Sequence, residues 1–412
     1  MLNMKPSLFL LFILFCASAA QAMVFDNRYL PLLQKPRFDL DGTLSCFETD
    51  FVIATASDAY SSSDQDTSIP EIWGVLDLGE MSTAMQKAGY TSPLRPDWQG
   101  AKIWFRTPSK IQMQALTFFF HQRLLDWFYV GASWAFFRTN SRQNFIVNTS
   151  SGKTNLFLSV PDILELEQDR VAMFNTVGID SGHTAQLGFG DVDFWIRFAH
   201  VWNYTLKFRS IDAGIRFGML APSGISQDPH RSPSIPNGGD GHWGIYTTFE
   251  SLFELKEDIK AGVSLRFSKR FQNTKNRRMP VLTEPDIFGV LYGPAKVDPG
   301  VTIVFSPYFL LENLRQGLAL GLQYTLRKHF QDLWCDARCD QTVLANLRQV
   351  QKNSEWASEY FSLYVLYDFG RVRALRDLAP VLTFRWDIPS HLFVSNRVAK
   401  AQQVSLGLEF AF

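Results

Sequence analysis

The chain has 412 residues, with 40 lysines and arginines against 40 aspartates and glutamates, so its formal net charge is zero. This balance argues against a polybasic protein that binds nucleic acid. Hydrophobic residues make up 46% of the chain and charged residues 19%, which excludes a disordered chain. The composition therefore indicates a folded protein that buries a large apolar surface.

Residues 1–22 have the pattern of a secretory signal peptide. Lys5 gives a positive start, residues 8–16 form an apolar core, and Ala20-Gln21-Ala22 matches a small-x-small cleavage site. The apolar run is shorter than the roughly 20 residues of a membrane-spanning helix, and no later stretch reaches 18 consecutive apolar residues. We expect a mature chain of residues 23–412, which can span a membrane only as a closed β-barrel.

Alternating segments follow from about residue 38 onward. In the clearest one, four apolar residues from Val192 to Phe198 point to one side, while Asp191, Asp193 and Arg197 point to the other. Such a strand places one face against lipid or a core and the other against water. We predict about twelve strands, at residues 38–57, 108–121, 127–140, 187–202, 207–222, 241–256, 258–272, 297–311, 316–331, 355–369, 378–389 and 400–412.

The connections between these strands alternate between short and long. The long ones cover residues 58–107, 141–186, 223–240, 273–296, 332–354 and 390–399. This asymmetry is typical of outer-membrane barrels, which have tight periplasmic turns and longer outer loops. We therefore predict an all-β fold, a transmembrane antiparallel β-barrel in one domain of residues 23–412. A large soluble β-sandwich would explain the alternation but not the pattern of connections.

Helical spacing of apolar residues occurs inside three of the long connections. Residues 75–88 and 161–174 have apolar residues at i, i+3 and i+4, and Pro161 suits a first helical turn. Residues 340–352 are a third, weaker candidate. We expect short helices in the outer loops, either folded into the mouth of the barrel or packed on its rim.

Charged residues cluster on the face of the strands that should line the lumen. Cationic and anionic groups nearly cancel on this face, so a strongly ion-selective pore is not indicated. The charges either form ion pairs that stiffen the wall or line a polar pathway. The lumen-lining residues that we single out are Asp191, Asp193, Arg197, Asp212, Arg216, Glu250, Arg266, Arg327 and Arg385.

Part of the inner wall is predicted to be apolar. In the strand at residues 108–121, Ile111, Met113 and Ala115 share one side, whereas Lys110 and Gln112 lie on the other. An apolar patch in a lumen would suit a hydrophobic ligand, unless side chains of the loops fill it.

Three cysteines remain after the predicted cleavage. Cys335 and Cys339 are four positions apart, a spacing that favours a small disulfide loop in an exported chain; a metal site is less favoured because only His329 is near. None of the seven histidines stands beside a serine in a local pair on a strand, so we predict no catalysis. We predict no metal and no cofactor.

Three motifs resemble a known family. They are Leu187-Gly188-Phe189-Gly190-Asp191, Ala221-Pro222-Ser223-Gly224 and Gly239-Asp240-Gly241-His242-Trp243-Gly244. They resemble the outer-membrane barrels described as phenol-degradation-pathway (meta-pathway) transporters, which are related to the fatty-acid channels. The resemblance implies passage of small, often apolar molecules.

Both ends of the predicted barrel bear on this resemblance. Only about fifteen residues separate the predicted cleavage site from the first strand, too few for the N-terminal hatch of the fatty-acid channels, so we expect no hatch. The final strand carries Phe410 and ends in Phe412, which resembles the signal read by the barrel-assembly machinery.

The function we predict is a passive outer-membrane channel for small, hydrophobic solutes. Its expected partners are outer-membrane lipid, the barrel-assembly machinery and a small-molecule solute, with no nucleic acid. The alternative is a structural or surface-interaction barrel with a plugged lumen, whose loops at 58–107 and 141–186 contact other molecules. A continuous lumen would distinguish the two.

Overall fold

The computed structural model describes residues 27–36, 45–62, 65–149, 158–180, 182–203, 208–282, 284–285, 287–372 and 380–411. The predicted signal peptide and Phe412 lie outside these ranges. None of the helices in the described ranges is long and apolar enough to cross a membrane.

Within the described ranges, twelve antiparallel strands close into a barrel, which confirms the predicted fold class. The strands are β1 (Ser45–Ala56), β2 (Ser109–Leu125), β3 (Phe128–Gln143), β4 (His183–Phe189 and Val192–Asn203), β5 (Ser210–Ala221), β6 (Gly244–Lys256), β7 (Ile259–Arg270), β8 (Val301–Arg315), β9 (Leu318–His329), β10 (Trp356–Asp368), β11 (Pro380–Ser390) and β12 (Gln402–Ala411). The two parts of β4 pair with successive parts of β3, and β12 pairs with β1 to close the wall.

The outer surface of the barrel is apolar and the inner surface is polar. In β4, Phe194, Ile196 and Phe198 point outward and are 38–40% exposed, whereas Asp193 and Arg197 point inward and are 3% exposed. Within the described ranges, β12 closes the ladder onto β1 and only the outer part of β4, His183–Phe189, pairs on one side, so the strands satisfy most of their backbone polar groups within the wall. A closed barrel with an apolar outer face is the structure of an outer-membrane protein, and the chain is located in that membrane.

The long connections lie at one end of the barrel and carry structure of their own. In the described part of these connections there are three helices, α1 (Leu78–Lys87), α2 (Val160–Val177) and α3 (Leu347–Ser354), and a 3₁₀ turn at Pro70–Ile72. A further helical turn at Phe369–Val372 lies at the opposite end. Three small sheets lie beside the barrel. The first contains Asn273–Met279, Leu291–Asp298 and Leu333–Asp336. In the second, Asp58–Tyr60 pairs with Asp66–Ser68 and Val398–Ala399, and in the third, Trp104–Arg106 pairs with Leu76–Asp77 and Ile146–Val147.

Local capping explains where the first two helices begin. Asp77 accepts hydrogen bonds from the backbone of Gly79 and Glu80, and Ser159 forms a capping box with Asp162. Gly178 ends α2 in a left-handed conformation, at a φ of 72°. The helices predicted at 75–88 and 161–174 are therefore confirmed.

Two predictions about the outer loops were inaccurate. The third helix begins at Leu347 rather than at residue 340, because Arg338 pairs with Asp336 and donates to the carbonyl of Val343, which holds a turn there. Residues 273–296, expected to be a loop, form a hairpin. Its first strand, Asn273–Met279, is rich in charged residues, which hid the alternation.

The outer loops share one hydrophobic core. We call their described residues within 69–106, 145–149, 158–180, 273–298 and 333–354 the outer cap. Phe174 of α2 is buried at its centre, with its ring centroid 5.3 Å from those of both Phe145 and Phe288. Met85 of α1 and Val290 of the hairpin belong to the same cluster. The cap is therefore a folded unit above the mouth of the barrel.

Candidate functional site

Residues 27–36 run through the inside of the barrel, and we call them the N-terminal segment. At the outer end, Arg28 donates to the carbonyls of Asn353 (3.1 Å) and Ser354 (2.5 Å). Toward the opposite end, Nζ of Lys35 lies 2.7 Å from Glu48 and 2.8 Å from Glu409. Ten extended residues reach roughly 33 Å, about the thickness of the hydrocarbon core.

We expected no N-terminal hatch like that of the fatty-acid channels, and this segment is an extended piece of chain inside the lumen, not a folded hatch domain. A folded hatch domain does need more residues, but a single extended strand of chain does not. The sequence signal that was overlooked is the apolar run Leu30-Pro31-Leu32-Leu33 between two cations, Arg28 and Lys35.

Side chains of the barrel wall satisfy the carbonyl groups of the N-terminal segment. Arg385 of β11 donates to the carbonyl of Leu33 at 2.9 Å, and Gln403 of β12 donates to that of Pro31. On β9, Arg327 donates to the carbonyl of Asn27 at 3.3 Å and Gln323 to that of Gln34 at 3.5 Å. Side chains of the wall therefore hold much of the segment, together with one backbone bond from Ala399 to the carbonyl of Arg28. Two of the predicted lumen residues, Arg327 and Arg385, position this segment.

Four other predicted lumen residues form one buried network on β4, β5 and β6. Arg197 contacts Asp212 at 2.9 Å and Glu250 at 3.1 Å, and Arg216 contacts the second oxygen of Glu250 at 2.8 Å. Two cations meet two anions, so the network is neutral. It crosses three strands and stiffens this side of the wall.

Asp193 and Arg266 both contact Tyr246. The Tyr246 hydroxyl donates to Asp193 at 2.8 Å, and the guanidinium carbon of Arg266 lies 3.6 Å from the centroid of the Tyr246 ring. Tyr246 is 3% exposed and points into the barrel. It links β4 and β7 across β6.

Asp191 lies at the junction between the two parts of β4 and is fully buried. It pairs with Arg270 at 2.8 Å and accepts hydrogen bonds from the backbone of Gly224 and Gly239. A Cβ on Gly238 would lie 2.4 Å from the Asp191 carboxylate, so only glycine permits this approach. Asp191 therefore holds the glycine-rich loop at 236–241 against the wall.

A cavity of about 330 Å³ lies between the outer cap and the barrel mouth. We call it the outer cavity; Tyr29 and Trp73 line it from one side and Arg277 and Trp334 from the other. A smaller inner cavity, of about 150 Å³, lies deeper in the lumen and reaches the turn between β8 and β9 at Gly317. The N-terminal segment contributes to the lining of both.

A buried apolar cluster, which we call the apolar collar, lines one side of the lumen and contributes to both cavities. Leu30 and Leu32 of the N-terminal segment belong to a buried cluster formed with inward-facing side chains of β1, β2 and β3. Its wall residues are Val52, Ala54, Ile111, Met113, Ala115, Ala135 and Phe137. The apolar row at Ile111, Met113 and Ala115 thus faces the lumen, and the N-terminal segment, rather than an outer loop, covers most of it.

Two titratable groups near the outer cavity are held in one charge state. Burial lowers the pKa of His242, and its Nδ1 lies 2.8 Å from the carbonyl of Phe271. Burial opposes the charge on Asp332, but the interactions with His329 (2.9 Å), the backbone N–H of Gly300 and Arg28 together outweigh it and lower the pKa of that carboxyl. We expect His242 to be neutral and Asp332 charged near pH 7.

Cys335 and Cys339 are free and exposed in the outer cap, so their disulfide stays a prediction. Phe410 lies in the closing strand, paired with Phe47 of β1 and Pro380 of β11. Its part in barrel assembly also stays a prediction, because pairing in the finished barrel does not test it.

Comparison with solved structures supports the fold. The COG4313 outer membrane channel from Pseudomonas putida F1 superposes with a TM-score of 0.52 at 11% identity, over 92% of this chain and 100% of that chain. The toluene transporter TodX of Pseudomonas putida (TM-score 0.34, 10% identity, 95% and 96% covered) and the NalP autotransporter translocator domain of Neisseria meningitidis (0.38, 9%, 91% and 90%) are less similar. No family model and no curated sequence matches this chain. The chain therefore has the fold of an outer-membrane channel.

Proposed function

We propose that the protein is a passive outer-membrane channel for small, hydrophobic solutes, which cross the barrel beside the N-terminal segment. The observation that carries this proposal is the pair of cavities to which the apolar collar contributes. A solute that enters the outer cavity meets Leu30 and Leu32, and beyond them the inner cavity opens toward the periplasmic turns.

The chemistry of the collar favours apolar solutes. On the side formed by β1, β2 and β3, an ion that crosses it would lose its hydration beside apolar side chains, at a cost of several kcal/mol. The wall charges below the collar, such as Arg197 and Glu250, are already paired with each other and offer no excess of one sign. Apolar molecules lose nothing comparable at this point.

The N-terminal segment can shift without disturbing the barrel. Side chains such as Arg385 and Gln403 bind its carbonyls, and the backbone N–H of Ala399 donates to that of Arg28. Displacement therefore breaks a few hydrogen bonds, the two ion pairs of Lys35 and the apolar contacts of Leu30 and Leu32, while the strand ladders of the wall stay intact. We infer that this segment controls passage.

Locking the segment tests the proposal. We would introduce Pro31→Cys with Gln403→Cys, in a chain whose Cys46, Cys335 and Cys339 are replaced by Ser or Ala, and join the thiols by oxidation or with a short bifunctional reagent. Cells that carry the locked protein should take up a radiolabelled monoaromatic hydrocarbon at least tenfold more slowly than after reduction. The single variants Pro31→Cys and Gln403→Cys, treated in the same way, should not respond.

The opposite result would favour a second function. The segment already occupies the lumen, which is the observation that favours a structural barrel with a plugged interior. If uptake is at background in both the reduced and the locked protein, the channel proposal fails and the plugged barrel is the better account.

We also propose that the protein is exported through a cleaved signal peptide and that it does not catalyse a reaction. We infer cleavage after Ala22, insertion by the barrel-assembly machinery through Phe410 and Phe412, and transport that makes or breaks no covalent bond. Mass measurement of the protein extracted from outer membranes tests the first point, because cleavage predicts a chain that begins at Met23.

A further inference from the structure

The outer cavity has an excess of positive charge. Six cationic side chains line it, namely Arg28, Arg231, Arg270, Lys275, Arg277 and Arg278, against three carboxylates, Asp228, Asp240 and Asp332. Asp191, just outside the lining, neutralises Arg270. Asp240 is shared, at 2.5 Å from Arg277 and 3.9 Å from Lys275. Positive charge therefore remains in excess even after these pairs are counted.

Two of the cations are bound by carbonyl groups alone. Arg278 donates to the carbonyls of Pro229 (2.6 Å), Val177 (2.8 Å) and Gly178 (2.8 Å). Arg28 donates to two further carbonyls at the barrel mouth. Among the described residues, no carboxylate lies within ion-pair distance of either side chain. Buried charge of one sign normally meets the opposite sign, so this cavity favours an anion.

Aromatic faces lie next to these cations. The guanidinium carbon of Arg28 is 4.3 Å from the ring centroid of Trp73, and that of Arg277 is 5.3 Å from the centroid of Trp334. Phe288 and Trp356 also line the cavity. Planar apolar surfaces beside positive charge suit a ligand with a flat apolar body and an anionic head.

Buried polar atoms without hydrogen-bond partners line the same cavity. Gln143, at the outer end of β3, is 2% exposed, and neither its amide nitrogen nor its oxygen has a partner. The indole N–H of Trp334 and Nε of Arg277 are unpartnered as well. Buried polar groups are nearly always hydrogen-bonded, so these three donors are available to the oxygen atoms of a ligand in this cavity.

We propose that the outer cavity binds an aromatic carboxylate, with the carboxylate toward Nε of Arg277, which the ion pair with Asp240 leaves unpartnered, and the ring against Trp334. This inference rests on the proposed function, because the bound molecule would be a solute on its way through the barrel. The cavity lies under the outer cap, inside the mouth, and not on the outward face where Phe194 and Phe198 meet lipid. A small solute therefore fits the site, and a lipid headgroup does not reach it.

Binding of benzoate to the full mature protein in detergent micelles tests the inference. Benzoate should quench tryptophan fluorescence saturably and bind at least tenfold more tightly than benzyl alcohol, which has the same ring and no charge. Arg277→Gln should weaken benzoate at least tenfold and leave benzyl alcohol within twofold. Lys102→Gln, at an exposed cation of the cap outside the cavity, is the matched control and should bind as the parent does.

Other outcomes would overturn the inference. Equal affinity for benzoate and benzyl alcohol removes the role of the charge, and displacement of benzoate by equimolar inorganic phosphate removes the role of the ring. If Arg277→Gln loses the heat-modifiable barrel band on gels, Gln143→Leu, which removes two unpartnered polar atoms, takes its place with the same expected loss.

Failure of this inference differs from failure of the proposed function. A protein that passes a neutral hydrocarbon in the locking experiment but does not bind benzoate is a channel without this specificity. A protein that binds benzoate but gives uptake at background is a receptor-like barrel, and then only the channel proposal falls.

Discussion

Buried arginines of the barrel wall such as Arg197 form ion pairs with buried carboxylates. Arg197 is 3% exposed on its side chain and bridges Asp212 and Glu250, while Arg209, 42% exposed, lies 3.7 Å from both Glu254 and Glu257. The two arginines have similar numbers of partners in different surroundings. Burial decides which arginine contributes more to the free energy of unfolding, because water screens the exposed ion pairs and not the buried ones.

Removal of the buried arginine should therefore be costly. Arg197→Met leaves Asp212 without its cation and should lower the free energy of unfolding by about 3–5 kcal/mol. Urea titration of the barrel in lipid vesicles measures this change. Arg209→Met removes the exposed pairs and should cost less than about 1 kcal/mol. Equal losses in the two variants would contradict the account.

Neighbouring strands of the barrel are fitted together by glycine and aromatic residues. Trp195 lies against Gly131 of β3, and Tyr246 of β6 lies against Gly218 of β5, each directly across from it in register. A Cβ on either glycine would lie about 2 Å from the ring, at 2.2 Å and 2.1 Å respectively. The missing side chain on one strand makes room for the ring of the next, which lets large rings lie flat along the inner wall.

Gly218→Ala should disrupt this fit. The added methyl displaces Tyr246, whose hydroxyl is bonded to Asp193, so we expect a loss of about 1–3 kcal/mol in the free energy of unfolding. The same substitution in a Tyr246→Leu background should cost less, and the difference in a double-mutant cycle measures the contact. An equal cost in both backgrounds would mean that the methyl strains the backbone and not the ring.

The whole molecule consists of a barrel and an outer cap with separate cores. The cap core gathers α1, α2 and the hairpin of Asn273–Met279, whereas the collar gathers the wall and the N-terminal segment. Lipid and the closed strand ladder stabilise the barrel, while the cap depends on its own apolar core and its local hydrogen bonds and ion pairs. The two units should therefore respond differently to a cavity in the cap.

Phe174→Ala tests this division. Loss of a buried ring should destabilise the cap by about 3–5 kcal/mol, exposing α2 to protease, while the heat-modifiable barrel band on gels stays unchanged. Val160→Ala, on the same helix but 73% exposed, should leave protease resistance as it is. Loss of the barrel band in Phe174→Ala would show that cap and barrel unfold together.

The sequence predicted the strands and helices whose formation depends on residues a few positions apart in the chain. Strands such as β4 follow from period-two alternation, and α1 and α2 follow from helical spacing and capping residues, all within a few positions of one another. The alternation also placed Arg197, Asp212 and Glu250 on the inner face of the wall, because side chains of a strand point to one of only two faces. It did not show which of them touch.

The tertiary structure alone decided what fills the lumen and which charges meet. Pro31 and Gln403 are 372 positions apart, and Arg28 and Ser354 are 326 apart, so no local pattern indicates that they are bonded. The N-terminal segment has no periodicity to detect, because side chains of distant strands satisfy its carbonyls. The strand count, the membrane and the two faces of the wall were thus determined by local sequence, whereas the obstructed passage and the positive outer cavity depend on closure of the barrel, which brings the two ends of the chain together.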